Sequence, residues 1–174
     1  MIKITKEMVI EYASKYDKNE KAFDKREEKG LKEWLAGHKY LDKEKFVRLG
    51  RWKSKRPTKL YKSNDDSLIK DITKFSFSTK NEEARIKSLL VLSGVSWPVA
   101  SVILHFTFPS SYPILDFRAL ESLGIEKPKS YNFNFWQRYC ERVREIAKNV
   151  QEDIRTVDKA LWAYSQEYSK IINK

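Results

Sequence analysis

One aspartate, Asp116, stands at the start of a helical pattern in a chain whose charge is mostly positive. The chain has 174 residues, with 35 Lys and Arg against 24 Asp and Glu, so its formal net charge is +11. A helix N-terminus favours the ionised form of a carboxylate. Such a group can stabilise positive charge developing on a substrate, or orient and deprotonate an attacking water. An aspartate before a helix is also commonly a plain N-cap, and the two roles are compatible.

A tight turn precedes this aspartate, and its glycine, Gly94, lies 22 residues before Asp116. The stretch LSGVSW joins two apolar helical patterns, so it predicts a helix–hairpin–helix. Such a hairpin directs backbone N–H groups and the positive end of the second helix toward one point, which suits a nucleic-acid phosphate. These contacts read the backbone and not the base sequence. The alternative is an ordinary turn in a helical bundle. The residues expected to contact DNA here are Gly94, Val95, Ser96 and Trp97.

The composition limits the classes of function. A net charge of +11 indicates a polyanionic partner such as nucleic acid, with a well-solvated surface as the alternative. The lone cysteine, Cys140, excludes internal disulfides and a cysteine-based metal site, and it falls on an apolar stripe typical of a core. Two distant histidines make a metal centre unexpected. No run of about 20 apolar residues is present, and the N-terminus resembles no targeting peptide, so a cytoplasmic, nucleoid-associated protein is expected.

The elements that must position these residues are helices. Only five glycines and five prolines occur, and no long stretch alternates with period two, so we expect an all-α protein. Asp42 is a predicted N-cap, and Thr79 with Glu82 forms a capping-box pattern. Pro98 suits the first turn of the helix after the hairpin, and Gly124 can end the helix that Asp116 begins.

The stretch from about residue 85 to 124 resembles the helix–hairpin–helix DNA glycosylase superfamily, relatives of endonuclease III and of the adenine-mismatch glycosylase. The family pattern is L-P-G-h-G-x-x-T-A, an apolar helix, a short loop and then h-h-D. Here LSGVSWPVA supplies Leu92, Gly94, Val95 and Ala100, and YPILD leads to Asp116 at the spacing that the family uses. Outside this stretch only the helical content and the length agree.

The resemblance implies a two-lobed, all-α fold in which residues 1–174 form one compact unit with a cleft between the lobes. The central lobe would span about residues 31–110 and carry the hairpin at 92–98. The second lobe would combine residues 1–30 with 111–174 and place Asp116 at the mouth of the cleft. The carboxylate would stabilise the oxocarbenium-like sugar as the bond to a damaged or mispaired base breaks.

The chain departs from the family pattern at four informative positions. Ser96 replaces the second hairpin glycine, and Val99 replaces the usual threonine. Pro98 occupies the place of the lysine that forms a Schiff base in bifunctional members, which implies a monofunctional enzyme without lyase activity. Glu121 stands where many relatives carry an arginine. The four-cysteine iron–sulfur loop of some members cannot exist with one cysteine, so no cofactor is expected beyond a monovalent cation at the hairpin.

Supporting residues come from a basic segment, Arg51–Lys62, in which aromatic residues alternate with positive charges. Such a segment can grip phosphates and stack on bases, with a solvated loop as the alternative. A flipped base also needs a pocket. The alternative to a DNA-contacting role for Trp52 and Trp97 is a position in the core. The alternative for His105 is a buried imidazole that contacts no base. The phosphate contacts are expected from Arg51, Lys53, Lys55 and Arg56, and the base pocket from Trp52, Tyr61, His105 and Arg118.

The sequence therefore predicts a monomeric, monofunctional DNA glycosylase that acts on double-stranded DNA with Asp116 as the catalytic group. One alternative is a non-catalytic helix–hairpin–helix protein that binds DNA without base release. Another is a helical protein–protein adaptor whose positive charge is incidental. The excised base is not specified by these patterns.

Overall fold

The computed structural model describes the backbone of residues 4–20 and 22–172 and the side chains of residues 4–20 and 24–168. This part of the chain contains ten helices and no β-strand, which confirms the predicted all-α class. Among the described residues, none of the helices is both long and apolar enough to cross a bilayer. The helices are α1 (Lys6–Asn19), α2 (Ala22–Ala36), α3 (Lys43–Lys53), α4 (Thr58–Ser63), α5 (Asp66–Ser78), α6 (Glu82–Leu89), α7 (Trp97–Thr107), α8 (Phe117–Leu123), α9 (Phe133–Val150) and α10 (Ile154–Ile172).

The chain forms two compact units. Unit 1 contains Met1–Glu20 and Pro109–Lys174, and unit 2 contains Lys21–Phe108. The first boundary between the units, at residues 20–21, therefore lies about ten residues before the expected one at 30–31, and α2 belongs to unit 2. The reason is tertiary: α2 packs on α3 and α7, and Arg48 of α3 donates two hydrogen bonds of 3.0 Å to the Glu27 carboxylate.

Unit 2 is built around α7. The residues from Val99 to Phe106 are all buried, because α2, α3 and α6 contact this helix on several sides. A helix that is apolar all round is expected only where neighbours cover every face. The other helices contribute one apolar stripe each, with Phe46, Ile69 and Ile86 fully buried.

Unit 1 is organised by α10, which packs against α1, α8 and α9. The apolar stripe of α9 is buried at Trp136, Tyr139 and Val143, which recur at helical spacing. The N-cap of α9 is Asn132, whose side chain accepts a hydrogen bond from the Phe135 N–H at 2.9 Å. Helices α9 and α10 form the scaffold that holds the segment before α8.

Most of the predicted helix boundaries are confirmed. Asp42 caps α3 by accepting the Lys45 N–H at 2.7 Å, and Gly124 ends α8 in the left-handed conformation with φ 67°. The capping box at Thr79 is wrong. Asn81 caps α6 instead and accepts the Ala84 N–H at 2.8 Å, while Thr79 ends α5, because the chain turns between these two residues.

Candidate functional site

The predicted hairpin is present in unit 2. Helix α6 ends at Leu89, the chain turns, and α7 begins at Trp97. Within the turn the Val95 N–H donates to the Leu92 carbonyl at 3.0 Å, and Gly94 has φ +85°. A non-glycine residue is strained in that region, so the glycine of the motif is required by the backbone.

One side chain that the sequence analysis did not assign to the site fastens the hairpin to α4. The Asn64 carboxamide accepts the Ser93 N–H at 2.7 Å and donates to the Ser93 carbonyl at 3.0 Å. The same amide nitrogen donates to the carbonyls of Leu60 and Tyr61 at 2.9 and 3.1 Å. Asn64 is 4% exposed. A buried amide with four such bonds holds the hairpin and the end of the basic segment together.

Tyr61 lies beneath the hairpin and not in a base pocket, so that prediction is wrong. Its ring is fully buried between two glycines: a Cβ added at Gly94 would meet the ring at 2.8 Å, and one at Gly50 would meet it at 2.7 Å. Burial raises the pKa of Tyr61 to about 12. Its hydroxyl has no hydrogen-bond partner among the described residues. The ring therefore serves as a spacer between α3 and the hairpin.

The N-terminus of α7 is open at the hairpin. Ser96 is its N-cap, but the serine side chain makes no capping hydrogen bond and is exposed. Pro98 lies in the first turn, as predicted. Trp97 is half-buried and Val95 is buried, so of these neighbours Ser96 offers the most surface to a ligand. Backbone N–H groups at an uncapped helix start can bind an anion.

The basic segment lies beside this hairpin because Asn64 and Tyr61 connect the two. From residue 45 to residue 64 the chain carries eight Lys and Arg and no Asp or Glu. Lys45 and Arg48 are paired with Glu44, whereas the exposed cations farther along form no ion pair with any residue that the structure describes. Lys53 is half-buried. These exposed cations are Arg51, Lys55, Arg56, Lys59 and Lys62.

Two further base-pocket predictions fall in or near the core of unit 2. His105 is fully buried in α7, with its ring edge-on to Phe106 at 5.8 Å between centroids, so it offers no surface to a base and the prediction is wrong. Trp52 is half-buried and packs edge-on against Phe106 at 5.1 Å. The structure thus gives Trp52 the packing role that the sequence analysis held as its alternative.

Asp116 lies in unit 1 and is the N-cap of α8. Its carboxylate accepts the Arg118 N–H at 3.0 Å, and the side chain is half-buried. The preceding residues, from Tyr112 to Leu115, are buried. Asp116 is therefore partly exposed, and the segment that leads to it is buried.

Two helices hold the backbone just before Asp116. The buried Asp158 of α10 accepts the Ile114 N–H at 2.9 Å, and the Tyr139 hydroxyl of α9 donates to the Ile114 carbonyl at 2.8 Å. Burial raises the pKa of Tyr139 well above its ordinary value, and the negative charges of Asp158 and Asp116 add to the effect. Tyr131 also lies within electrostatic reach of Asp116, since burial first and the Asp116 charge second raise the pKa of Tyr131.

Arg118 contacts aromatic rings next to Asp116. Its guanidinium carbon lies 5.1 Å from the Phe117 ring centroid and 5.4 Å from that of Trp162, so it makes two cation–π contacts. Phe117 is 51% exposed. The sequence analysis assigned Arg118 to the base pocket, and the contacts that the structure describes for its guanidinium are with the Phe117 and Trp162 rings.

The structure thus brings the hairpin and the basic segment together in unit 2, and it places Asp116 and Arg118 in unit 1. No group of three or more His, Cys, Asp or Glu side chains in the described ranges is arranged to hold a metal ion. A monovalent cation at the hairpin remains a prediction: the Leu92 and Ser93 carbonyls, which could bind it, already accept hydrogen bonds from Val95 and Asn64.

Searches with this chain against protein-family models, curated proteins and solved structures found no match.

Proposed function

We propose that the protein is a monofunctional DNA glycosylase that hydrolyses the N-glycosidic bond of a damaged or mispaired base. The observation that carries the proposal is the geometry of Asp116: a half-buried carboxylate on a helix N-cap, with its backbone anchored by buried side chains from α9 and α10. The residues that resemble the glycosylase superfamily provide the context for this interpretation.

The chemistry asked of Asp116 is electrostatic. Breaking the bond between base and deoxyribose leaves positive charge on the sugar, and an ionised carboxylate beside it lowers the energy of that state. The same carboxylate can orient or deprotonate the attacking water. A damaged or mispaired base is often a better leaving group than an alkoxide, so the second carboxylate of glycoside hydrolases is not required.

DNA binding is assigned to unit 2. The open N-terminus of α7 supplies backbone N–H groups for one phosphate, and the exposed cations of the basic segment supply long side chains for its neighbours. The hydrogen bonds of Asn64 support this assignment, because they join the hairpin, which carries the N–H groups, to the basic segment, which carries the cations.

The test is a panel of duplexes, each with one lesion or mismatch, incubated with the protein and then treated with hot alkali to reveal abasic sites. Asp116→Asn keeps an N-cap side chain and should lower base release by about 10²–10³-fold or more. The matched control is Asp42→Asn, which removes the same charge from the N-cap of α3 and should leave the rate unchanged. An Asp116→Asn protein with the wild-type rate would refute the assignment.

A non-catalytic DNA-binding protein is the second candidate. The specific observation that favours it is the altered hairpin, in which Ser96 is exposed and Val99 is buried where the family carries glycine and threonine. This alternative predicts salt-dependent binding to any duplex and no abasic site on any member of the panel. Both candidates would be excluded if a gel-shift assay at physiological salt detected no binding to DNA.

A further inference from the structure

The Ile114 backbone is held by two side chains whose position suggests more than packing. The N–H and the C=O of this one residue are bound by Asp158 and Tyr139, which are 5% and 2% exposed and come from different helices. The contacts are also remote in sequence, because Asp158 lies 44 residues and Tyr139 lies 25 residues from Ile114.

We propose that Asp158 and Tyr139 are positioning residues that fix the Asp116 carboxylate by holding Ile114, two residues before it, from both sides. The proposal rests on the proposed function of Asp116. Helix α8 has only seven residues, and the Asp116 carboxylate caps it by accepting the Arg118 N–H at 3.0 Å. The segment that leads into α8 is held at Ile114, and this anchor fixes the backbone position from which the Asp116 side chain extends.

Burying the Asp158 carboxylate costs more desolvation than burying a neutral acceptor would. A carboxylate makes a stronger and shorter bond to an N–H donor than a neutral group does. A rigid anchor of this kind is what a group acting on a developing charge needs, because a displacement of about 1 Å can lower the rate about 100-fold.

The experiment compares Asp158→Ala, Asp158→Asn and Tyr139→Phe in the full chain. Asp158→Asn keeps an acceptor for the Ile114 N–H and should restore most of the base-release rate that Asp158→Ala loses. Asp158→Ala and Tyr139→Phe should lower the single-turnover rate by about 10- to 100-fold with DNA affinity unchanged. Thr73→Val is the control for destabilisation, since Thr73 is buried in unit 2 and accepts the Leu41 N–H at 2.9 Å.

A second readout does not depend on activity. Amide hydrogen exchange should accelerate by about tenfold at Ile114 and Arg118 in Asp158→Ala and Tyr139→Phe, the factor for one lost buried hydrogen bond, while core amides of unit 2 keep their rates. If exchange accelerates in the variants but the wild-type protein releases no base from any duplex, the proposed function is refuted and the anchoring of Ile114 still stands. Wild-type exchange or wild-type turnover in Tyr139→Phe would overturn the positioning role, as would equal turnover losses in Asp158→Asn and Asp158→Ala.

Discussion

The replacement of Gly94 by alanine tests the construction of the hairpin. Two terms destabilise the variant. The backbone at φ +85° is unfavourable for an L-residue by about 1–2 kcal/mol, and the new methyl group would meet the Tyr61 ring at 2.8 Å, an overpacking that costs about 1–3 kcal/mol. The reduced entropy of the unfolded chain offsets about 0.4–1 kcal/mol. The free energy of unfolding should therefore fall by about 1–5 kcal/mol.

Two other glycines separate these terms. Gly30→Ala introduces a methyl group with no heavy atom within 4 Å in the interior of α2, so it should raise the free energy of unfolding by about 0.5–1 kcal/mol. Gly50→Ala presses on the same Tyr61 ring at 2.7 Å from a helical backbone. The ring can move away from either methyl group alone, but not from both, so Gly50→Ala with Gly94→Ala should cost more than the sum.

The measurements are urea unfolding followed by circular dichroism, and fluorescence anisotropy with a labelled duplex. Gly94→Ala should lose DNA affinity under conditions where it remains folded, because the first turn of α7 moves with the hairpin. Strictly additive effects of the Gly50 and Gly94 substitutions would refute the shared-ring explanation. A Gly94→Ala protein as stable as wild type would refute the structural reason given for the glycine.

Further predictions concern the buried hydroxyls, the reaction and DNA binding. Tyr139→Phe should lower the free energy of unfolding by about 1–2 kcal/mol, whereas Tyr61→Phe should be nearly neutral because the Tyr61 hydroxyl has no described partner. The pKa of Tyr61 in the folded protein is about 12, above its ordinary value of 10.0, so the folded state favours the neutral phenol. As the pH rises from 10 to 12, the free energy of unfolding should therefore fall more steeply for wild type than for Tyr61→Phe. Urea unfolding at a series of pH values measures this difference. Borohydride should trap no covalent DNA adduct, because Pro98 replaces the lysine. Lys59→Ala should reduce the slope of log K against log salt by about 1 if Lys59 contacts one phosphate, and an unchanged slope would remove it from the interface.

The sequence by itself determined the local features of the candidate site. Asp116 as an N-cap, Gly124 as a helix end and the turn around Gly94 were all predicted correctly. Each depends on hydrogen bonds between residues two to five positions apart, so the residue type and its neighbours are sufficient information. The all-α class follows in the same way from helical spacing and the scarcity of glycine and proline.

Only the tertiary structure decided which side chains are buried and what they hold. Tyr61 and His105 carry polar groups and looked suited to a base pocket, yet both are fully buried in unit 2. Asn64 reaches Ser93 across 29 residues, and Asp158 reaches Ile114 across 44. Contacts at such separations depend on how whole helices pack, and no local pattern of residue types encodes which distant backbone group a polar side chain will meet.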